Sequence, residues 1–255
     1  ADVWLDLGAR LEEEDREHAI QVYTHLGQLL PDDVESRDRL ARLYEKTNRR
    51  EPALQQLREL ARMAARVEDF EAEVLYLQRI LAIDPQDVES LERLVALVQR
   101  PGHEDECFQL LSRLERVHCS AGRFQKALEV LGQLQQMQPD NPELMGRSIE
   151  LLIKTGQGEI AAAQGVELIQ VYFDRNDDQR ALEMLSQVTE IDPGNVARRI
   201  ELARLVHCNN RHQVAFQEFF LLASRLFGEG QWESCLQVCQ AGCGLFDDDV
   251  RLRDL

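Results

Sequence analysis

The sequence predicts an all-α protein, a solenoid of stacked antiparallel helices, on three observations. Prolines recur at a fixed interval: Pro31, Pro85, Pro139 and Pro193 stand 54 residues apart, and Asp247 occupies the next mark. Between the marks, apolar residues recur at i, i+3, i+4, the spacing of one helix face. The composition agrees, since aromatic residues make 6% of the chain and 14 Gly with 7 Pro are too few for a turn-rich β-sandwich. Self-similarity at a fixed period of this size marks units that bury a core only by stacking on their neighbours.

Each mark opens a similar phrase: Pro31-Asp32-Asp33-Val34-Glu35, Pro85-Gln86-Asp87-Val88-Glu89, Pro139-Asp140-Asn141-Pro142-Glu143, Pro193-Gly194-Asn195-Val196 and Asp247-Asp248-Asp249-Val250. The chain therefore reads as one repeat domain over 1–255, divided into a partial unit 1–30, full units 31–84, 85–138, 139–192 and 193–246, and the start of a further unit at 247–255. A first helix follows each phrase, with Leu40, Leu43 and Tyr44 matched by Leu94, Leu97 and Val98. It stops at Asn48, Gly102, Gly156 and Asn210, residue types that tolerate the left-handed conformation closing a helix. A second helix carries Leu57/Leu60, Leu111/Leu114, Leu168 and Phe219/Leu222, and ends near Gly122, Asn176 and Gly230. A third is marked by Ala127/Leu131, Ala181/Leu185 and Cys235/Cys239, and stops before the next proline. About fourteen helices result. Ala1 to Leu11 aligns with a middle helix and Glu17 to Leu30 with a third helix, so the array reads as a fragment of a longer protein.

The charge balance narrows the function. Against 46 acidic residues stand 29 basic ones, a net charge of −17 that repels phosphate backbones and anionic membranes, so neither nucleic acid nor membrane is expected as a partner. No apolar run approaches the roughly 20 residues of a membrane span. Six cysteines without the dense spacing of secreted frameworks read as reduced thiols, and a cytoplasmic location is expected.

Over the second and third helices the sequence resembles the tetratricopeptide repeat family. In the window Phe108 to Asn141, Leu111, Leu114, His118, Ala127, Leu131 and Pro139 fall on the family's Trp, Leu, Tyr, Ala, Phe and Pro places, while Glu115 replaces its Gly. The window Ala162 to Asn195 supplies Leu168, Tyr172, Ala181, Leu185 and Pro193, and Phe216 to Asp249 supplies Phe219, Leu222, Ala223, Cys235 and Cys239. Glu73 departs from the Ala place, where a small side chain lets paired helices approach. The unit exceeds the family's period by one helix. Two arrangements follow: a two-layer stack whose layers swap at each unit, or a three-helix stack with every unit equivalent. The resemblance implies a right-handed superhelix and a non-catalytic protein-interaction role.

It also implies a ligand-facing surface on the middle helices. Carried over by position, that surface holds Arg58, Arg62 and Arg66, then Arg113 and Arg116, then Val166, Gln170 and Phe173, and last Phe220 and Phe227. A clustered Arg stripe in a chain of this charge suits capture of carboxylates, so a protein or peptide with acidic and apolar stretches is the expected partner. The plainer readings are a solvated face for the arginines, and packing beneath the following helix for Phe220 and Phe227.

Other clusters read as structural. No phosphate-binding glycine loop, Cys-x-x-Cys pair, HExxH helix or nucleophile elbow is present, so no catalytic residue, metal or cofactor is assigned and the chain is not expected to be an enzyme. Cys235, Cys239 and Cys243 share one helix face, yet the first two stand at core places of the repeat and read as buried thiols. The acidic pairs Asp32-Asp33 and Asp177-Asp178 and the run Asp247-Asp248-Asp249 open helices, where negative charge caps free N–H groups. A regulatory or self-associating segment of a larger enzyme or signalling protein is the second reading of function.

Overall fold

The computed structural model describes residues 2–99 and 102–246. Pro101, Asp247 to Asp249 and the expected start of a further unit at 247–255 lie outside the described residues. The protein is all-α, with fourteen helices and no strand among the described residues. They are α1 (Asp2–Glu14), α2 (Arg16–Leu29), α3 (Val34–Lys46), α4 (Arg50–Arg66), α5 (Phe70–Ile83), α6 (Val88–Val98) and α7 (Glu104–Ser120), then α8 (Phe124–Met137), α9 (Pro142–Lys154), α10 (Gly158–Asp174), α11 (Asp178–Ile191), α12 (Val196–Cys208), α13 (His212–Gly228) and α14 (Trp232–Cys243). Their starts repeat in steps of 54 residues: 34, 88, 142 and 196 for one class, 50, 104, 158 and 212 for the next, and 16, 70, 124, 178 and 232 for the third.

Local chemistry accounts for these boundaries. The residues at 33, 87, 141 and 195 are Asp, Asp, Asn and Asn, and each accepts a backbone N–H of the helix it opens, as Asp33 does from Ser36 at 3.1 Å and Asn195 from Arg198 at 3.0 Å. Such a cap contributes about 1 kcal/mol relative to Ala. The turn after each first helix carries a positive φ at Asn48, Gly102, Gly156 and Asn210. After each second helix the positive φ falls at Glu68, Gly122, Asn176 and Gly230. Three of these four are types that adopt this conformation readily, and Glu68, at φ 57°, is the exception. A β-carbon in the left-handed region costs roughly 1–2 kcal/mol. Glu68→Gly removes that cost while widening the unfolded ensemble, so we expect a net gain of about 0.5–1 kcal/mol, read as a melting temperature raised by a few degrees in circular dichroism.

The chain divides into two compact units, Ala1–Gly122 with α1–α7 and Arg123–Leu255 with α8–α14. In the first, successive helices joined by turns of a few residues pack pairwise from α1 to α7, as short connections require of neighbouring helices. Its amino-terminal core joins Ala19, Tyr23 and Leu26 of α2 to Leu40 and Leu43 of α3. In the second unit, Met145, Ile149 and Leu152 of α9 meet Ala161 and Leu168 of α10. A further core joins Ile169 and Phe173 of α10, Leu185 and Val188 of α11, and Leu202 and Val206 of α12. Ala19, Ala127 and Ala181, at equivalent places, are fully buried, as close helix approach demands.

Glu73 occupies that same place and is 2% exposed. It accepts two hydrogen bonds from Arg93 of α6, Nε to Oε1 at 2.5 Å and Nη2 to Oε2 at 3.0 Å. The departure from the repeat pattern is thus satisfied by a bidentate ion pair between α5 and α6.

Candidate functional site

The sequence-assigned residues separate into those that face solvent and those the fold uses. In the first unit, Arg58 of α4 donates from Nη2 to Asp87 Oδ1 at 2.7 Å, tying α4 to the cap of α6. Burial acts to raise the Asp87 pKa, but its bonds to Ser90 and Arg58 outweigh it and hold the carboxylate below its usual range. Its contribution to stability is therefore full above the ordinary carboxylate pKa and is lost as pH falls through the lowered value. Arg113 of α7 donates to the carbonyl of Pro85 at 2.8 and 3.1 Å and of Leu81 at 3.3 Å, covering the carboxyl end of α5. Both arginines thus bond groups of neighbouring helices, while Arg58 keeps 38% of its side chain exposed.

Arg62, Arg66 and Arg116 are exposed. Arg62 bonds Glu59 at 2.7 Å and Arg116 bonds the Ser112 carbonyl at 3.2 Å, both within their own helices. Exposed pairs of this kind contribute little stability and yield readily to a competing carboxylate.

In the second unit Val166 and Gln170 are half-buried, and Gln170 Nε2 donates to Asp174 Oδ1 at 2.6 Å. Phe173 is 6% exposed and belongs to the α10–α11–α12 core, so the expectation that it anchors a ligand is corrected. Phe220 and Phe227 of α13 are both exposed.

Phe220 lies in a groove of about 670 Å³ along the amino-terminal half of α13, lined by His212, Phe216, Gln217, Phe220, Leu221 and Phe246. Helical spacing stacks Phe216 on Phe220, with ring centroids 6.3 Å apart and an interplanar angle of 15°. The chain after α14 returns Phe246 edge-on to Phe216 at 5.6 Å and to the His207 ring at 4.8 Å. His207 in turn stands 4.4 Å from His212. Burial and the neighbouring His212 lower the His207 pKa. The wall is aromatic, with the two glutamines Gln213 and Gln217 as its polar groups beside the histidines. Sequence reasoning reached Phe220 and missed Phe216, which the four-residue spacing on the same helix signals. Phe246 carries no such signal, because only the turn after α14 brings it across.

No disulfide joins any of the six cysteines. No group of three or more His, Cys, Asp or Glu among the described residues could hold a metal ion. Cys235 is buried and its thiol meets the Ala223 carbonyl at 3.4 Å. Burial, followed by the neighbouring Cys235 and Cys243, pushes the Cys239 thiol up to about 11. Because thiolate is the reactive form, titration of the native protein with a thiol reagent is expected to label exposed Cys208 first and Cys107, Cys235 and Cys239 slowly. Fast modification of Cys239 at neutral pH contradicts this.

Comparison with known proteins adds a family match over part of the chain. A family model described as tetratricopeptide repeat matches residues 120–164, the stretch holding α8 and α9. Over that stretch the chain is similar to a tetratricopeptide repeat. The match overlaps the window read from spacing, Phe108 to Asn141, over residues 120–141. No curated protein matches the chain. Among solved structures, the chain is similar to a signal transduction ATPase with numerous domains and a tetratricopeptide repeat sensor from Pyrococcus horikoshii, at 12% identity and TM-score 0.39, over 96% of this chain and 42% of that one. It is also similar to BtubC (BKLC) from P. vanneervenii, at 15% identity and TM-score 0.35 over 91% of each chain. A third is a thermophilic TPR protein of Thermus thermophilus, at 18% identity and TM-score 0.26 over 80% of this chain and 98% of that one. The chain thus spans less than half of the ATPase. No helix of the described residues is long and apolar enough to cross a membrane.

Proposed function

We propose that this chain is a non-catalytic scaffold that binds a segment of a partner protein on its middle helices, with the α13 groove as the apolar anchor site. The observation that carries this reading is the aromatic wall formed by Phe216, Phe220 and Phe246 beside exposed Leu221. Aromatic and aliphatic side chains rimmed by a few polar groups suit an inserted apolar side chain. Exposed Arg62, Arg66 and Arg116 in the first unit are the groups available to acidic residues of a partner, and exposed charges of this kind steer association more than they hold the complex. Six cysteines outside any disulfide fit a reducing compartment, the cytoplasm.

Panning a random peptide library on the protein tests the reading. Enriched peptides are expected to share an aromatic or large aliphatic residue near acidic ones, and to bind Leu221→Asp at least tenfold more weakly at unchanged helicity. Reversal of Arg62 or Arg116 to Glu is expected to slow association in a salt-dependent way. Enriched peptides that bind Leu221→Asp as tightly as the parent overturn the groove assignment.

A further inference from the structure

A second concavity, away from the α13 groove, lies in the first unit where the turn before α3 meets the turn after α4. It has a volume of about 280 Å³. Buried Leu60, Ala64 and Tyr76 line it together with Val34 and Val67, which are 45% and 75% exposed. Described helices flank this stretch on both sides in the chain, α1 and α2 before it and α6 and α7 after it, and the cavity stays open with them in place.

Its charged groups are chiefly acidic. Asp32 and Asp69 line the cavity, with Arg66 as the cation of its wall. The turns 31–33 and 67–69 add Asp33 and Glu68 and hold no basic residue. Asp33 caps α3 through the Ser36 N–H at 3.1 Å, and Asp69 caps α5 through the Ala72 N–H to its Oδ1 at 3.1 Å. Those caps leave the Asp32 carboxylate and Asp69 Oδ2 for a cation. Glu68 keeps a carboxylate in this turn at φ 57°, where the equivalent residues are Gly122, Asn176 and Gly230, and a strained residue of this kind points to a use for its side chain. The equivalent cleft of the second unit is built differently. Two periods on, Asp140, Pro142, Arg175 and Arg180 line it at the places of Asp32, Val34, Val67 and Ala72. Guanidinium groups replace the apolar wall there, so clefts alike in register differ in the ligand they suit.

We propose that the cavity between α3, α4 and α5 docks a lysine from a basic segment of a partner protein, its aliphatic stem laid on Val34 and Val67 and its ammonium held by Asp32 and Asp69. Lysine covers apolar surface with its stem while its charged head stays among polar groups. A compact ammonium suits carboxylates carried on separate turns, whereas the planar fork of a guanidinium is matched to the paired oxygens of one carboxylate. The net charge of −17 draws a basic segment toward the chain. The cavity shares no residue with the α13 groove and does not depend on it.

The test reads the methyl resonances of Val34, Met63 and Val67, all on the cavity wall, by NMR of the full chain. Salt at about 0.15 M screens diffuse attraction. The probe is a capped pentapeptide with one lysine among alanines, and its control carries norleucine, the same stem without the ammonium. The lysine peptide should shift these methyls saturably with a Kd in the millimolar range, and the norleucine peptide should bind at least fivefold more weakly. Asp32→Asn combined with Asp69→Asn, which keeps a capping side chain on α5, should weaken binding of the lysine peptide at least fivefold at unchanged helicity. No localised shift up to about 20 mM peptide, equal binding of the two peptides, or binding indifferent to the double variant overturns the proposal. Val34 and Val67 shifts that change on dilution of the protein alone overturn it in favour of a second copy as occupant.

Discussion

Arg93→Ala is expected to destabilise the first unit by about 3–5 kcal/mol, although Arg93 lies on the surface with 45% of its side chain exposed. The loss arises at the partner. Glu73 keeps its burial at 2% exposure, and both hydrogen bonds to its carboxylate come from this guanidinium. Truncation of Arg93 leaves a charge in the helix interface without its partner, and an uncompensated buried charge costs far more than the intact pair contributes. The reverse substitution differs in kind. Glu73→Ala installs the residue that Ala19, Ala127 and Ala181 supply elsewhere, and frees an arginine that can turn to water. Its cost is expected to stay near 1 kcal/mol, mostly from lost packing. The double variant should recover most of the Arg93→Ala loss, giving a coupling of about 2 kcal/mol or more in a urea-denaturation cycle. Equal and additive losses from the two single variants refute this account.

Gly165→Ala is the second large effect expected. A methyl built at Gly165 of α10 meets Val188 Cγ2 of α11 at 2.3 Å, with Met184 Sδ at 3.8 Å. Val188 is 1% exposed and cannot move without disturbing the core around it. Replacing a mid-helix glycine gains about 1 kcal/mol of helix propensity, while overpacking of a filled core costs typically 1–3. The clash wins, and a net loss of about 1–2 kcal/mol is expected. Two comparisons isolate the cause. Gly146→Ala in α9, where nothing lies within 4 Å of the added carbon, should stabilise by about 0.5–1 kcal/mol. Val188→Ala should absorb the added methyl, so the Gly165→Ala/Val188→Ala double variant should lose less than the sum of the two. A Gly165→Ala protein as stable as the parent in denaturant refutes the close approach.

Much of the architecture was legible in the chain because its signals are local. Asp33, Asp87, Asn141 and Asn195 announce helix starts through a hydrogen bond reaching three residues or fewer. Asn48, Gly102, Gly156 and Asn210 announce helix ends through a backbone angle each tolerates by itself. Glu68 escaped notice because its type gives no warning of a positive φ, and only its place in the 54-residue register does.

The site was less legible, since it depends on which face of each helix is left uncovered. Arg58 and Arg62 sit one turn apart on α4 and look alike as sequence, yet Arg58 reaches Asp87 of α6 and Arg62 reaches only Glu59 of its own helix. Phe173 and Phe227 occupy the same place in successive repeats, and one is core while the other meets water. By itself the sequence determined the repeat, the all-α fold, the helix boundaries and the absence of a recognisable catalytic motif, all consequences of short-range spacing. Tertiary structure alone decided which arginines are spent on the fold, that Glu73 has its partner in Arg93, that Gly165 and Gly146 have opposite tolerance for a methyl, and that Phe246 closes the α13 groove. Those outcomes turn on distances of a few ångströms between residues tens of positions apart, which helical periodicity does not encode.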